Sequence, residues 1–398
     1  MTTLQQAYIV AATRSPIGKA PRGVLSHYRP DDLLARVIQG VLAQAPNLDP
    51  AAIEDAIVGC AIPEGPQGLN VARMGVLLSG LPNSVAGVTV NRFCASGLTA
   101  IAMAADRIRV GEADVIIAAG TESMSLVPTM GVGTSFSPDI FAHDENLGIA
   151  YGMGLTAEQV AQQWKVSRDD QDAFALQSHQ RAIAAQKAGE FAAEILPLDV
   201  VNRVPDLANG KVDERHKTVA LDEGARSDTS LEALAKLRPV FAARGTVTAG
   251  NSSQISDGAG ALLVVSERAL KMHNLKPLAR FVSFSVRGVP PEIMGIGPKF
   301  AIPQALKLAG LKQDQMDWIE LNEAFAAQSL AVIRDLNLNP EIVNPMGGAI
   351  ALGHPLGATG AIRAATVIHA LQRHKLNYGM LTMCVGTGMG AAGIFERV

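Results

Sequence analysis

The chain has 398 residues, 48% hydrophobic and 18% charged, with a net charge of −3. That balance implies two or three buried cores and leaves no basic field for nucleic acid. No apolar run approaches the roughly 20 residues of a membrane span. The opening MTTLQQAYIVAATRSP has no charged stretch leading into an apolar one, so no secretory signal is expected. Cys60, Cys94 and Cys384 are few and far apart, which predicts no disulfide framework and a reducing cytoplasm. Without a CxxC pair or a His/Cys cluster, no metal is expected.

Short β-branched runs alternate with Ala/Leu-rich stretches, the α/β pattern. Residues 7–12 (AYIVAA) predict a first strand, 31–45 a helix, and 56–61 (AIVGCA) a buried strand that places Cys60 in the core. After Cys94, the spacing of Leu98, Ile101, Ala105 and Ile108 predicts a largely buried helix. Residues 115–120 and 261–266 read as further strands. From 277 the pattern restarts, with a strand at 279–286, a helix at 303–309 and a strand at 318–321. A helix at 360–373 and a strand pair around 381–384 and 391–396 complete it. Two similar α/β units in tandem follow, 1–120 with 253–273 and then 274–398. The stretch 121–252 differs in texture, with an amphipathic helix expected at 167–189 and a charged run at 206–223. It reads as an insertion covering an active site.

Three segments can carry chemistry. In Asn91-Arg-Phe-Cys94-Ala-Ser-Gly97, a strand runs into a cysteine at a helix start, where the dipole and free N–H groups lower a thiol pKa. Taken alone, Cys94 is equally a small core residue. In Asn344-Pro-Met-Gly-Gly-Ala-Ile-Ala-Leu-Gly-His354-Pro-Leu-Gly-Ala-Thr-Gly360, glycines and prolines form a loop around His354. The imidazole there can act as a base or as an oxyanion donor. In Cys384-Val-Gly-Thr-Gly-Met-Gly390, a strand ends in a thiol and turns through glycines whose N–H groups stay open. This turn lacks the lysine and following helix of a phosphate loop. Together the three supply a nucleophile, a base and a second acid/base.

These motifs, in this order and with Asn322-Glu-Ala-Phe325 between them, resemble the thiolase family over about residues 7–398. The covering segments 153–158 (MGLTAE), 235–239 (AKLRP) and 247–253 (VTAGNSS) match as well. The resemblance implies an αβαβα fold in five layers, made of two βαβαβαββ halves with an inserted CoA-binding loop domain at 121–252. It also implies a homodimer or homotetramer that uses CoA and acyl-CoA as substrates and needs no cofactor. By the same resemblance Cys94 is the acylated nucleophile, His354 activates it and Cys384 moves the α-proton. Asn322 holds an oxyanion-hole water with His354, and the N–H groups of Cys94 and Gly386 form the other hole. Arg226, Phe241, Ser253, Met153 and Phe325 are the implied CoA and substrate contacts.

Two departures stand out. Pro345 and Met346 replace the aliphatic residue and asparagine common in the family. Gly152 stands where short-chain biosynthetic members carry histidine, which favours a degradative, broad-chain acyltransferase over an acetoacetyl-CoA synthase. The second cysteine argues against a decarboxylating ketosynthase. The presence of Cys94, His354 and Cys384 together argues against a non-catalytic lipid-binding relative.

Overall fold

The uncharged Val/Ile/Ala runs form the inner strands of a large mixed sheet, as expected for strands buried on both faces. A computed structural model describes residues 4–206 and 208–398. Its strands are β1 (Ala7–Arg14), β2 (Gly18–Lys19), β3 (Asp55–Gly59), β4 (Val88–Val90), β5 (Val115–Ser123), β6 (Leu198–Asp206), β7 (Lys211–Val219), β8 (Ser256–Ser266), β9 (Ala279–Gly288), β10 (Trp318–Leu321), β11 (Tyr378–Val385) and β12 (Met389–Arg397). The helices are α1 (Pro30–Gln44), α2 (Val71–Leu78), α3 (Ser96–Arg109), α4 (Met153–Gln163), α5 (Arg168–Lys187), α6 (Leu231–Ala235), α7 (Glu267–Met272), α8 (Gly297–Ala309), α9 (Ala326–Leu336), α10 (Ala349–Leu352) and α11 (Thr359–His374).

The ladder repeats itself. β3 pairs in parallel with β4 and β5, β5 is antiparallel to β8, and β8 to β1. In the second half β10 pairs in parallel with Val343 and β11, β11 is antiparallel to β12, and β12 to β9. Among the described residues, the two half-sheets join where Tyr8 and Ile9 meet Arg280 and Ala279. Three apolar cores separate the layers. One lies between α1, α2 and the first half-sheet, and another between α8, α9 and the second. The central core surrounds α3 and α11, which touch both half-sheets. A helix sandwiched this way is apolar all round, and Thr359–Leu371 is buried at every position but His369. The two central helices meet at backbone distance. A Cβ on Gly97 would lie 2.6 Å from the Ala361 nitrogen, and one on Gly360 would lie 2.1 Å from that of Leu98. Any larger residue at either position forces these helices apart.

Three expectations need correction. The helix placed at 303–309 starts at Gly297, with Pro298 in its first turn and Pro303 tolerated inside. The helix at 167–189 exists as α5, but its buried stripe is polar: Gln171, Asp172, Ser178 and His179, interleaved with Ala175, Ala182 and Ala185. The charged run near 206–223 includes a strand, β7, paired with β6. β7 is exposed at every residue except Val219, so it carries none of the alternation that marks a half-buried strand.

A buried ion network ties the 194–223 region to the first half. Arg14 of β1 (1% exposed) donates to Glu194 Oε1 at 2.6 Å and to Asp222 Oδ1 and Oδ2 at 2.7 and 2.9 Å, while Thr366 of α11 donates to Glu194 at 2.8 Å. Removing one member of such a network strands buried charge and costs about 3–5 kcal/mol. Arg14→Met should therefore lower the free energy of urea unfolding by roughly that amount. A change below 1 kcal/mol would show that the carboxylates find water instead. Among the described residues no helix is long and apolar enough to cross a membrane.

Candidate active site

Cys94 lies in a single 3-10 turn, Phe93–Ala95, that feeds α3. The turn is built by its neighbours. Asn91 Nδ2 donates to the Ala61 carbonyl at 2.8 Å, and Asn91 Oδ1 accepts from Phe93 N–H at 2.9 Å. Ser96 Oγ accepts from Arg92 N–H at 2.9 Å and donates to the Phe93 carbonyl at 2.6 Å. These bonds hold Phe93 at φ +41°, a left-handed conformation that costs about 1–3 kcal/mol for a side-chain-bearing residue. The asparagine and serine of the motif thus aim the thiol.

The thiol is 1% exposed. Burial pushes its pKa up to about 12, against the pull of the Gly386 and Cys94 N–H groups, and the buried Glu122 carboxylate pushes the same way. The expected lowering by the helix start is therefore reversed. The turn's N–H groups do act on the sulfur, but desolvation of a buried anion is the larger effect. The resting group is a thiol, and attack has to be coupled to removal of its proton.

His354 is the imidazole of the site. Gly353, at φ +100°, ends the short α10, and His354 N–H donates to Ser256 Oγ at 3.1 Å. Its Nδ1 lies 2.7 Å from Thr359 Oγ1, whose own hydroxyl reaches the Pro355 carbonyl at 3.1 Å. With the hydroxyl proton on Pro355, Nδ1 carries the ring hydrogen and Nε2 keeps its lone pair. Nε2 lies 3.3 Å from Asn322 Nδ2. Burial, with the positive Arg363 nearby, pushes the His354 pKa down to about 3. Its resting form is neutral.

Asn322 follows β10 and is clamped on both sides. Asn344 Oδ1 accepts from Leu321 N–H at 2.9 Å, and its Nδ2 donates to the Leu321 carbonyl at 2.8 Å and to Glu323 Oε1 at 2.9 Å. Glu323 Oε2 accepts from Ser178 of α5 at 2.6 Å and from Ile350 N–H at 3.2 Å. Asn322 Oδ1 is buried with no protein donor, so it can accept from a water. Pro345 and Met346 follow Asn344 but face Arg181, Trp318 and His374 on the far side.

Cys384 ends β11, fully buried among Ala157, Val247, Met294, Ala324 and Phe325. Burial raises its pKa well above the usual thiol range, and a thiolate at Cys94 would raise it further. Met153 packs against the clusters that hold both cysteines. Cys60 lies apart, its thiol 3.9 Å from Glu122 Oε1. Glu122 Oε2 accepts from Ala61 and Gly357 N–H, each at 2.8 Å. It thereby ties the turn after His354 to the strand beside Cys94.

Outside this cluster a cavity of about 510 Å³ is lined by Lys19, His179, Arg226, Phe241, Ser253 and Gln254, among others. Arg226, Phe241 and Ser253 therefore share one pocket. Phe325 reaches it through an edge-to-face contact with Phe241, at a centroid distance of 6.1 Å. Gly154 makes room for the Phe241 ring, since a Cβ there would fall 2.1 Å from it. Ser178, Glu323, Glu122 and His179 were not singled out from the sequence. Thr359 lay inside the histidine motif without an assigned role.

Two buried thiols and a buried imidazole, mounted on a duplicated αβαβα scaffold, define a class of cysteine-dependent proteins built on this fold. Family models for the thiolase N-terminal domain and the thiolase C-terminal domain match residues 7–268 and 275–397, and the chain belongs to the thiolase family. It is 49% identical to a 3-ketoacyl-CoA thiolase of Bacillus subtilis (strain 168), covering 99% of this chain and 100% of that one. Human mitochondrial 3-ketoacyl-CoA thiolase superposes with a TM-score of 0.87 at 40% identity, over 99% of each chain. Bacillus anthracis acetyl-CoA acetyltransferase superposes with a TM-score of 0.90 at 36% identity, over 100% of each.

Proposed function

We propose that this enzyme is an acetyl-CoA C-acyltransferase that cleaves 3-ketoacyl-CoA with CoA to acyl-CoA and acetyl-CoA, and runs the reverse Claisen condensation, through an acyl-Cys94 intermediate. What supports the reading is the buried pair Cys94 and Cys384, which are close enough to influence one another, and a buried His354 that meets Asn322 and keeps a lone pair on Nε2. Cys94 sulfur attacks C3 of the substrate as its proton passes to His354 Nε2. Developing charge on the C3 oxygen is held by protonated His354 and a water on Asn322. The C2–C3 bond then breaks, its electron pair stays on C2, and the Cys384 thiol protonates that carbon to release acetyl-CoA. In the second half, CoA gives its thiol proton to the Cys384 thiolate and attacks the thioester. The Cys94 and Gly386 N–H groups hold the oxygen, and the departing Cys94 thiolate recovers its proton from His354. Each acid/base step is worth about 10²–10⁴ in rate, and each oxyanion donor about 10²–10³. The sequence balances with CoA and acyl-CoA alone, so it needs no cofactor.

Residues 121–252 form the inserted domain between the halves 1–120 with 253–273 and 274–398. With Arg226, Phe241 and Ser253 it binds CoA, while Met153 and Phe325 line the acyl path. Gly152 caps α4 and has open space around it, which suits a broad acyl range better than a dedicated acetoacetyl-CoA synthase. The enzyme works in the cytoplasm, where its thiols stay reduced, as a homodimer or homotetramer. The exposed Met74, Leu77, Leu78 and Val88 along α2 and the edge strand β4 suit such an assembly. Incubation with acetyl-CoA followed by peptide mass mapping should place the acetyl group on Cys94. Acetylation of Cys384 alone, or of neither cysteine, would remove the basis for this mechanism.

A further inference from the structure

The polar stripe of α5 brings one imidazole to the wall of a cavity. His179 is 4% exposed, and its Nδ1 accepts from Arg226 N–H at 3.2 Å. Nδ1 is thereby the acceptor and Nε2 carries the hydrogen. Among the described residues no acceptor meets that N–H within hydrogen-bond range, and the ring lines the cavity described above. A donor on a cavity wall is open to completion by a ligand or a water. The ring stays neutral. Burial pushes its pKa down to about 4, Arg226 and Lys19 act in the same sense, and Asp228 opposes them.

Lys19 lines the same cavity. Its backbone is fixed: Lys19 N–H and Val24 N–H donate to Glu223 Oε2 at 2.9 and 3.0 Å, and Ala20 N–H donates to the Ile255 carbonyl at 3.0 Å. Among the described residues no carboxylate lies within 4.0 Å of its ammonium. Arg226 is held only loosely, at 3.4 and 3.5 Å from the exposed Asp228. Two cations and one neutral N–H donor therefore line a single cavity, whose wall also carries the Asp228 carboxylate paired with Arg226.

We infer that Lys19 and His179 complete, with Arg226, a phosphate-recognition site for the CoA moiety, in which Lys19 supplies charge and His179 Nε2–H a directional hydrogen bond. The neutral ring matters, because a third cation would repel the other two in the empty pocket, whereas an N–H donor orients the phosphate without that cost. This inference rests on the reading that CoA occupies the cavity.

Its test compares acetoacetyl-CoA, its dephospho form lacking the 3′-phosphate, and acetoacetyl-pantetheine, which has no phosphate on the arm. Lys19→Ala and His179→Phe should each raise KM for acetoacetyl-CoA about tenfold with little change in kcat, since such a contact is equal in ground and transition states. Both should leave KM for the pantetheine thioester unchanged. His179→Gln, which restores an amide donor, should recover most of the loss and guards against a folding defect in the phenylalanine variant. If dephospho-CoA shows the same loss, the site reads the diphosphate; if it shows none, the site reads the 3′-phosphate. Unchanged KM for acetoacetyl-CoA in both Lys19→Ala and His179→Phe, or equal losses with pantetheine, overturns the inference. Should Arg226→Ala and Phe241→Ala also leave that KM untouched, CoA binds elsewhere and the underlying reading fails instead.

Discussion

Cys384→Ala is expected to abolish carbon–carbon cleavage and condensation while leaving Cys94 able to take an acetyl group from acetyl-CoA. The two halves of the reaction differ in one proton. Acetyl transfer to Cys94 needs the nucleophile, His354 and the oxyanion donors, whereas thiolysis and condensation must also add a proton to the α-carbon or remove one. In the proposed mechanism that proton is carried by the Cys384 thiol of β11, fully buried and close enough to Cys94 to feel its charge. Loss of an acid/base group costs about 10²–10⁴ in rate, and here it should fall entirely on the carbon chemistry. A merely packed thiol would behave differently. Its replacement by alanine would cost about 1 kcal/mol of stability and leave condensation near normal. Measuring acetylation of Cys94 beside condensation in the same preparation separates these outcomes. Normal condensation refutes the two-thiol mechanism, and joint loss of both activities means Cys384 also helps to activate Cys94.

The second large effect concerns His354. His354→Ala should slow Cys94 acylation by about 10²–10⁴, because a thiol pushed up to about 12 cannot ionise at neutral pH without a nearby acceptor. The pH profile carries separate information. The ring has to be neutral to accept the proton, and it is neutral above its folded pKa of about 3. For the wild-type enzyme kcat/KM should therefore show no acid limb near 6.5, the value of a solvated imidazole. Activity should persist as pH falls until the fold itself gives way. That same depressed pKa contributes stability which is fully present above about 6.5 and declines as pH drops from there towards 3. A kinetic limb centred near 6.5, absent from the thermal unfolding curve, would show that His354 is hydrated in the working enzyme.

The chemistry was legible in the sequence where one short segment contains both a reactive group and the residues that aim it. Asn91 and Ser96 flank Cys94 within three residues, and Thr359 follows His354 by five and meets its Nδ1, so the motif and the local hydrogen bonds coincide. Strand and helix positions were legible where burial on every side leaves a continuous run of small and apolar residues, as in β5, β8 and α11. The remainder depends on elements distant in sequence. Ser178 and Glu323 are 145 residues apart yet 2.6 Å from one another, and neither carries a local signal for that contact. α5 was recognised as a helix but misjudged in character, because its inward stripe binds loops through polar groups and so defeats a reading based on hydrophobicity. The resting ionisation of Cys94 was misjudged for a related reason. A helix start is visible in sequence, whereas the degree of dehydration that outweighs it is a property of the folded surroundings.

The placement of α3 and α11 bears on how the chain can come apart. Each helix is covered on one side by strands from its own half and on the other by strands from the opposite half. Severing the chain in the short connection between Met272 and Ala279 would ask each fragment to show a nearly uncharged helix to water. Neither fragment should persist as a soluble unit, although the two together could reassemble. Amide exchange in the intact enzyme should accordingly show α3 and α11 opening at one common free energy, as the last helices to release their protons, while the exposed β6–β7 hairpin exchanges freely.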